Sequence, residues 1–558
     1  MKTKISRRAF NVTLAAGTLG LIAGCSIRNT FDIIIRNGLV IDGSGGPAFR
    51  KDIGITGDKI SAIDDLNRAT ADIIIDGEGL VVSPGFIDIH THTDIQLLVN
   101  GKAESKIHQG VTTEVAGNCG GSYFPIGNDD LKEMDEHIFK QYGVNIDWRT
   151  AEGYLRRIED HKISNNHATL TGQGTLRGMV VGNNDVPATA EQIEEMKGLL
   201  EQTMAEGSFG LSSGLEYAPS SYASTEELIA LSQVVARHGG IYATHIRSED
   251  DRVEEAIQEA LKICKEADVS TQIAHLKAAN MGNWHKIDHV LEMIHEAALS
   301  GLQISADRYP YIAYGTGLTM FLPLWSRQGD TDEILARLTD PKTAGKIETY
   351  AESKGKDIGG WDRVVISSCQ LEKNKVLEGK SVRACADEQH LTTFEFIRNI
   401  LIEERNRVSM IGFAMDEDNL KKVLSSPDVM IGSDGNAVAP YGKLGEGKPH
   451  PRYYGTFPRV LGKYAREDKI FDLETAVHKM THMPAIKLGL KHRGLIAKDN
   501  YADIVLFNPE TVIDNASFVD PHQFPSGIEY VIVNGKVTIQ HGEHTGALAG
   551  SVLRHSST

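Results

Sequence analysis

Pro84-Gly85-Phe86-Ile87-Asp88-Ile89-His90-Thr91-His92 is the stretch on which the fold turns. A short apolar run after Pro-Gly reads as a buried strand. It ends in two histidines one residue apart. On an extended chain, residues i and i+2 point the same way, so His90 and His92 emerge together at the strand's C-terminal end.

Seven further strand candidates follow, at residues 112–116, 168–171, 209–212, 241–244, 271–274, 303–306 and 429–432. Helical periodicity separates several of them, over 190–205, 225–238, 253–267 and 286–298. Eight strands alternating with helices predict an α/β fold, a (β/α)8 TIM-like barrel spanning residues 87–480. The interval 326–406 is too long for one connection and reads as an inserted lid subdomain. Residues 409–413 form a ninth strand candidate. Residues 31–86 hold short strands separated by turns, and two more lie at 502–507 and 530–535. Residues 31–86 and 481–545 are therefore expected to pair into a small β-sandwich built from both ends of the chain.

Outside these regions lies a targeting segment. Lys2, Lys4, Arg7 and Arg8 precede a short apolar run, and Ser6-Arg7-Arg8-Ala9-Phe10 has the form of a twin-arginine signal. Ile22-Ala23-Gly24-Cys25 has the form of a lipobox, which predicts removal of residues 1–24 and a lipid anchor at Cys25 on the outward face of a bacterial membrane. The 558 residues carry a formal net charge of -17, which argues against nucleic acid as a partner and leaves membrane attachment to that anchor. Beyond Cys25 only Cys119, Cys264, Cys369 and Cys385 remain, no disulfide framework for a chain of this size. Cys264 and Cys369 read as buried thiols.

Barrel enzymes carry their chemistry at the C-terminal ends of strands. Here those ends present His90 and His92, Cys119, His245, His275 and Asp434. One histidine after a strand is usually a hydrogen-bonded structural residue; six such side chains at five strand ends point to a metal site. Thiolate and imidazole suit zinc, and a catalytic zinc keeps three protein ligands and an open position. Cys119, His245 and His275 fit that count as one tight site. His90 and His92 then complete a second, weaker site or orient substrate. Zinc makes an activated water available at neutral pH. Asp434 is placed to take its proton and deliver it to a leaving nitrogen.

The motif Pro84–His92 resembles the opening of amidohydrolase barrels. Gly117-Asn118-Cys119-Gly120, Gly210-Leu211-Ser212-Ser213-Gly214-Leu215, Thr244-His245-Ile246-Arg247, Ala274-His275-Leu276-Lys277, Asp307-Arg308-Tyr309-Pro310-Tyr311, Gly432-Ser433-Asp434-Gly435 and His450-Pro451-Arg452 narrow the resemblance to the N-acyl-D-amino-acid deacylase (D-aminoacylase) family. It runs from about residue 31 to about 542. It implies zinc on Cys119, His245 and His275, and Asp434 as acid/base. It also implies a substrate carboxylate held by Arg452, Lys277 and Tyr309, a guanidinium, an ammonium and a phenol suited to that task. The implied activity is hydrolysis of the amide of an N-acyl amino acid, D configuration being expected. Two departures are expected near the substrate pocket. Gln173 replaces a histidine between Gly172 and Gly174, and Gly315-Thr316 stands where the family has a serine.

Three rival readings share the same residues. A cyclic-amide hydrolase of the dihydroorotase or hydantoinase kind bridges two metals with a carboxylated lysine, and no lysine stands at the ends of strands 3 and 4. A D-dipeptidase or lactonase would use the same site. A non-catalytic lipoprotein that binds acyl-amino acids would not need Asp434 and the full donor set.

Overall fold

The computed structural model describes residues 30–127 and 130–556; Cys25 and its signal lie outside them. At the centre is a ring of parallel strands: β1 (Phe86–Asp88), β2 (Val111–Ala116), β3 (Asn166–Thr169 and Thr171–Gly172, interrupted at Leu170), β4 (Gly210–Gly214), β5 (Ile241–His245), β6 (Ser270–Ile273), β7 (Ile304–Arg308) and β8 (Val429–Ile431). Each pairs in parallel with the next, the two ladders meeting inside β3. Beyond the last hydrogen-bonded residues, an isolated parallel bridge between Thr91 and Gly435 joins the first strand to the eighth. These strands are buried almost throughout, polar residues such as Thr112, Thr113 and Glu114 of β2 included.

The surrounding helices form where their apolar positions recur at helical spacing. In the helix Val253–Ala267, Val253, Ile257, Ala260 and Cys264 form one buried stripe. It packs with Ile273, Ala306 and Val429 of β6, β7 and β8. The helix Ala190–Ala205 starts at Thr189, whose hydroxyl accepts from Gln192 N while the Gln192 side chain returns to the Thr189 backbone. Cys264, Cys369 and Cys385 are buried, unpaired thiols.

The ninth strand candidate does not belong to the barrel. Ser409–Gly412 is the middle strand of an antiparallel sheet, between Tyr314–Gly317 and Val364–Ser368. With Leu338, Ile347, Trp361, Ile397 and Met410, this sheet builds a separate core. The insertion thus extends from residue 314 to 412, beyond the expected 326–406. Its first strand, Tyr-Gly-Thr-Gly, has no apolar alternation to announce it.

Below the barrel, Val81–Pro84 pairs antiparallel with Ile504–Phe507 and parallel with Leu39–Val40, fusing both ends of the chain into one seven-stranded sheet. A four-stranded sheet faces it. Ile33, Ile35, Ile53 and Ile55 pack against Val82, Ile504, Leu506 and Ile532. The C-terminal boundary shifts too. The helix His482–Lys487 stays with the barrel, where Lys487 Nζ donates to Thr271 O at 2.5 Å, so the β segment starts later than residue 481. Past residue 545 the chain crosses the bottom of the barrel. Ser551 and Leu553 hydrogen-bond His167, and His555 N donates to Gly207 O.

Leu506 is fully buried between the two sheets. Leu506→Ala should cost about 2–5 kcal/mol, the usual range for a core truncation of this kind. The check is a lower denaturation midpoint of the purified protein.

Candidate metal centre

All the candidate donor residues do converge at the upper rim of the barrel. Their meeting point is organised by Asp307, on β7. Its carboxylate faces His90 Nδ1 at 3.1 and 3.2 Å, accepts from His275 N at 2.9 Å, and accepts from Gln272 Nε2 at 2.5 Å. With Nδ1 donating to the carboxylate, His90 turns Nε2 inward, 3.4 Å from Cys119 Sγ and 3.6 Å from Asp434 Oδ1. Glu249 does the same for His275. Its Oε1 lies 2.8 Å from Nδ1, leaving Nε2 3.5 Å from Cys119 Sγ and 3.0 Å from His245 Nδ1.

One donor atom each from His90, Cys119, His275 and Asp434 lies within 4.8 Å of the others. His245 joins His275 and Glu249 in an overlapping group. Cys119 and His245, two of the expected trio, thus fall in different groups that share His275, and His90 Nε2 at 3.4 Å stands as close to the thiol as His275 Nε2 does at 3.5 Å. His92 Nε2 reaches Asp434 Oδ1 at 3.0 Å. Sequence reasoning missed Asp307 and Glu249 as orienting groups. The signal for Asp307 was present: an acid on an apolar strand, two residues before Tyr309 and sharing its inward side.

The backbone at the site is strained. Cys119, His275 and Asp434 have φ of 52°, 36° and 50°. Left-handed backbone costs a non-glycine residue about 1–2 kcal/mol, and such costs concentrate at functional sites. The neighbouring glycines let the loops approach. At Gly120, φ is 80° and a Cβ would stand 2.7 Å from Gly214 N; at Gly214 one would stand 2.2 Å from Cys119 O.

The electrostatics call for positive charge. Burial alone would raise the Cys119 thiol, but His90, His275 and His245 outweigh it and hold it well below the ordinary thiol range. Burial disfavours charged imidazoles, yet Asp307 and Cys119 lift His90 well above its usual value. His92 is raised to about 9, mainly by Asp434 and Cys119, and His245 to about 10, mainly by Glu249 and Cys119, again against burial. A metal cation would take the place of those protons. His245 Nε2 makes no hydrogen bond among the described residues, with Glu216 Oε2 3.5 Å away. Thiolate, imidazole and carboxylate together form a donor set that suits zinc.

A cavity of about 650 Å³ opens over the cluster, lined by His92, Cys119, His275, Asp434 and Arg452 on the polar side and by Met134 and Ile138 opposite. Arg452 is 3% exposed. Its Nη1 lies 2.9 Å from Asp434 Oδ2, an ion-pair contact out of line for a hydrogen bond, and its plane sits 4.6 Å from the Tyr309 ring centroid. Asp434 would be raised by burial; Arg452, with His275 and His92, holds its carboxyl well below the usual range instead.

The other expected substrate contacts fare differently. Lys277 does not line this cavity; it pairs with Glu249 and sits 2.9 Å from His275 Nδ1. Tyr309 is buried beneath Arg452, its hydroxyl without a hydrogen bond among the described residues. Gln173 does not line the cavity, contrary to expectation. Its amide donates to Glu227 at 2.8 Å and accepts from Ser220 at 2.6 Å. Thr316 does line it, and its hydroxyl lies 3.2 Å from that of Tyr217. These two residues also line a second cavity of about 630 Å³ on the His245 side, beneath the inserted subdomain.

Imidazoles that hold protons at neutral pH must release them to ligate a metal. Metal uptake by the apoprotein should therefore release protons, and apparent affinity should rise with pH across the neutral range. Titration calorimetry in buffers of different ionisation enthalpy measures this. Uptake without proton release would contradict the electrostatics described.

The comparisons agree with this geometry. The chain is 36% identical to a D-aminoacylase from Alcaligenes xylosoxydans xylosoxydans, over 94% of its own length and 98% of the relative's. It is 33% identical to an N-acyl-D-aspartate deacylase from the same organism, over 92% and 93% of the two chains. Among solved structures, the N-acyl-D-glutamate deacylase of Bordetella bronchiseptica, in complex with zinc and a phosphonate mimic of the tetrahedral intermediate, superposes with a TM-score of 0.79 at 29% identity, covering 94% of this chain and all of that one. The sequence pattern of the amidohydrolase family matches residues 74–539. The chain belongs to the amidohydrolase family, alongside the D-aminoacylases.

Proposed function

We propose that this protein hydrolyses the amide bond of N-acyl-D-amino acids, with zinc held at the Cys119 cluster. The observation that carries the reading is one cavity presenting a thiolate–imidazole–carboxylate donor group beside a buried arginine. The relatives whose names specify N-acyl-D-amino acids support the amide and its configuration. Cys119, His245 and His275 would hold the tight ion, with His90 and His92 completing a second, weaker site. Bound there, zinc supplies an activated water and polarises the substrate carbonyl.

The remaining steps fall to the chain's own side chains. Asp434, ionised and buried, accepts a proton from the attacking water and returns it to the amide nitrogen as the C–N bond breaks, giving a carboxylate and a free amino acid. Arg452, its Cζ 4.6 Å from the Tyr309 ring centroid, offers its guanidinium to the substrate carboxylate. A substrate docked there shares the guanidinium that otherwise faces Asp434 and donates to Gly315 O at 3.5 Å. Lys277 contributes through Glu249 and His275 in the substrate-free state. β3 ends at Gly172 and β4 at Gly214, so neither offers the bridging lysine of a cyclic-amide hydrolase.

The decisive experiment is a screen of zinc-loaded protein against N-acetyl D- and L-amino acids, read by amine release. In the same assay Asp434→Asn should keep zinc and substrate affinity while kcat falls about 100- to 10,000-fold. Cys119→Ala should lose the metal. Near-normal turnover by a fully metallated Asp434→Asn protein would remove Asp434 from the acid/base role.

The enzyme is further proposed to work outside the cytoplasm, tethered by lipid on Cys25. The support is the lipobox behind a twin-arginine segment. No helix among the described residues is long and apolar enough to cross a membrane. Mass spectrometry of the mature N-terminal peptide should find acylated Cys25; an unmodified peptide beginning elsewhere would sink the proposal.

A further inference from the structure

Behind the metal donors, and out of contact with the cavity, lies a buried ion pair that the chemistry above leaves unused. Lys106, in the short helix Glu104–Ile107, and Asp88, in β1, are both 0% exposed. Lys106 Nζ lies 2.8 Å from Asp88 Oδ2 and donates to Ser433 Oγ at 2.6 Å. The other Asp88 oxygen accepts from Ser433 N at 2.8 Å and from His90 N at 3.4 Å. Ser433 Oγ in turn accepts from Gly435 N at 3.1 Å and donates to His90 O at 3.4 Å. One lysine and one aspartate thus hold Ser433 directly, Gly435 through the Ser433 hydroxyl, and His90 by its backbone amide.

Taking two charges out of water is costly, and such pairs are retained where they fix one arrangement against others. Barrel interiors are ordinarily filled with branched aliphatic side chains. The charged pair here stands at the seam between β1 and β8, where the two strands share no regular ladder but are joined by the bridge from Thr91 to Gly435 and by backbone hydrogen bonds from Asp434 N to His90 O at 2.8 Å and from His92 N to Gly435 O at 3.2 Å. The turn it grips carries Asp434 at a φ of 50°, a conformation that relaxes unless its surroundings impose it. The same helix reinforces the grip further along. Ser105 N donates to Val438 O, and Ser105 Oγ accepts from Val438 N, both at 2.9 Å.

We propose that Lys106, Asp88 and Ser433 form a positioning clamp for the reaction. It closes the barrel seam and holds Asp434 and His90 in register with each other, so that the carboxylate meets the metal donors rather than relaxing away from them. The clamp rests on the reading of Asp434 given above, but its geometry can be tested apart from turnover.

The test compares wild-type, Ser433→Ala, Lys106→Met and the double variant Asp88→Asn/Lys106→Met, each loaded with zinc and, separately, with Co2+. Melting temperature, metal content, kcat, KM and the visible spectrum of the Co2+ form are measured on each. Ser433→Ala leaves no unpaired buried charge, so it should fold and keep its metal. Its kcat should fall about 10- to 100-fold, the usual effect of losing a group that orients metal-site residues, with KM little changed and the Co2+ bands shifted. Lys106→Met strands Asp88 and should lower the melting temperature sharply. The double variant removes both charges and should recover that stability while kcat stays low. Turnover that tracks melting temperature across the series, or a Ser433→Ala protein with wild-type kcat and spectrum, would overturn the clamp. If the wild-type protein turns over none of the N-acyl amino acids, the functional reading fails instead. The clamp is then decided by the Co2+ spectra and by hydrogen exchange of residues 433–438, which should quicken in Ser433→Ala and would refute the clamp if unchanged.

Discussion

The site depends on one buried carboxylate. Asp307 accepts from the His90 ring, the His275 backbone and the Gln272 amide, and so couples β1, β6 and β7 through a single group. Its charge sets which imidazole nitrogen of His90 carries the proton and therefore which one faces Cys119. Without that fixed orientation, histidines on separate strands would rotate toward their nearest hydrogen-bond partners and share no common point. Glu249 applies the same constraint to His275 from the far side.

Once oriented, the donors repel or attract one another strongly enough to define what can sit among them. Cys119, Asp434, Asp307 and Glu249 bring negative charge into a largely buried region. The imidazoles respond by holding protons, and Arg452 by leaning on Asp434. A divalent cation relieves the same imbalance with fewer charges. The strain in the backbone at Cys119, His275 and Asp434 is the counterpart of this crowding. Three of the donors, Cys119, His275 and Asp434, are carried inward where the chain turns left-handed, and close glycine contacts pack against the Cys119 turn.

The inserted subdomain supplies part of the site's wall. Its first strand brings Thr316 over the barrel mouth, where the hydroxyl meets Tyr217 and stands between two chambers of similar size. The insertion has its own core around Trp361 and Ile397. Its sequence can therefore vary without disturbing the metal donors, which all come from the barrel.

The barrel and its strand order were legible in the sequence, as was a set of candidate donors at the strand ends. Strand ends are local: an apolar run followed by His-x-His, or by Gly-Asn-Cys-Gly, marks a side chain at the rim whatever the rest of the chain does. The sequence also determined that both ends of the chain share one β unit, because their apolar strands have no other partner. How the donors group, that Asp307 and Glu249 orient them, and that Arg452 faces Asp434 directly became visible in three dimensions. The tertiary structure moved Gln173 out of the pocket into a network with Glu227 and Ser220, and it drew Lys277 onto Glu249. It likewise assigned Ser409–Gly412 to the lid, because the choice between a parallel and an antiparallel neighbour depends on partners about 95 and 45 residues away. Periodicity reports what one segment buries; which buried charge answers another is settled only when distant strands are brought within a few ångströms.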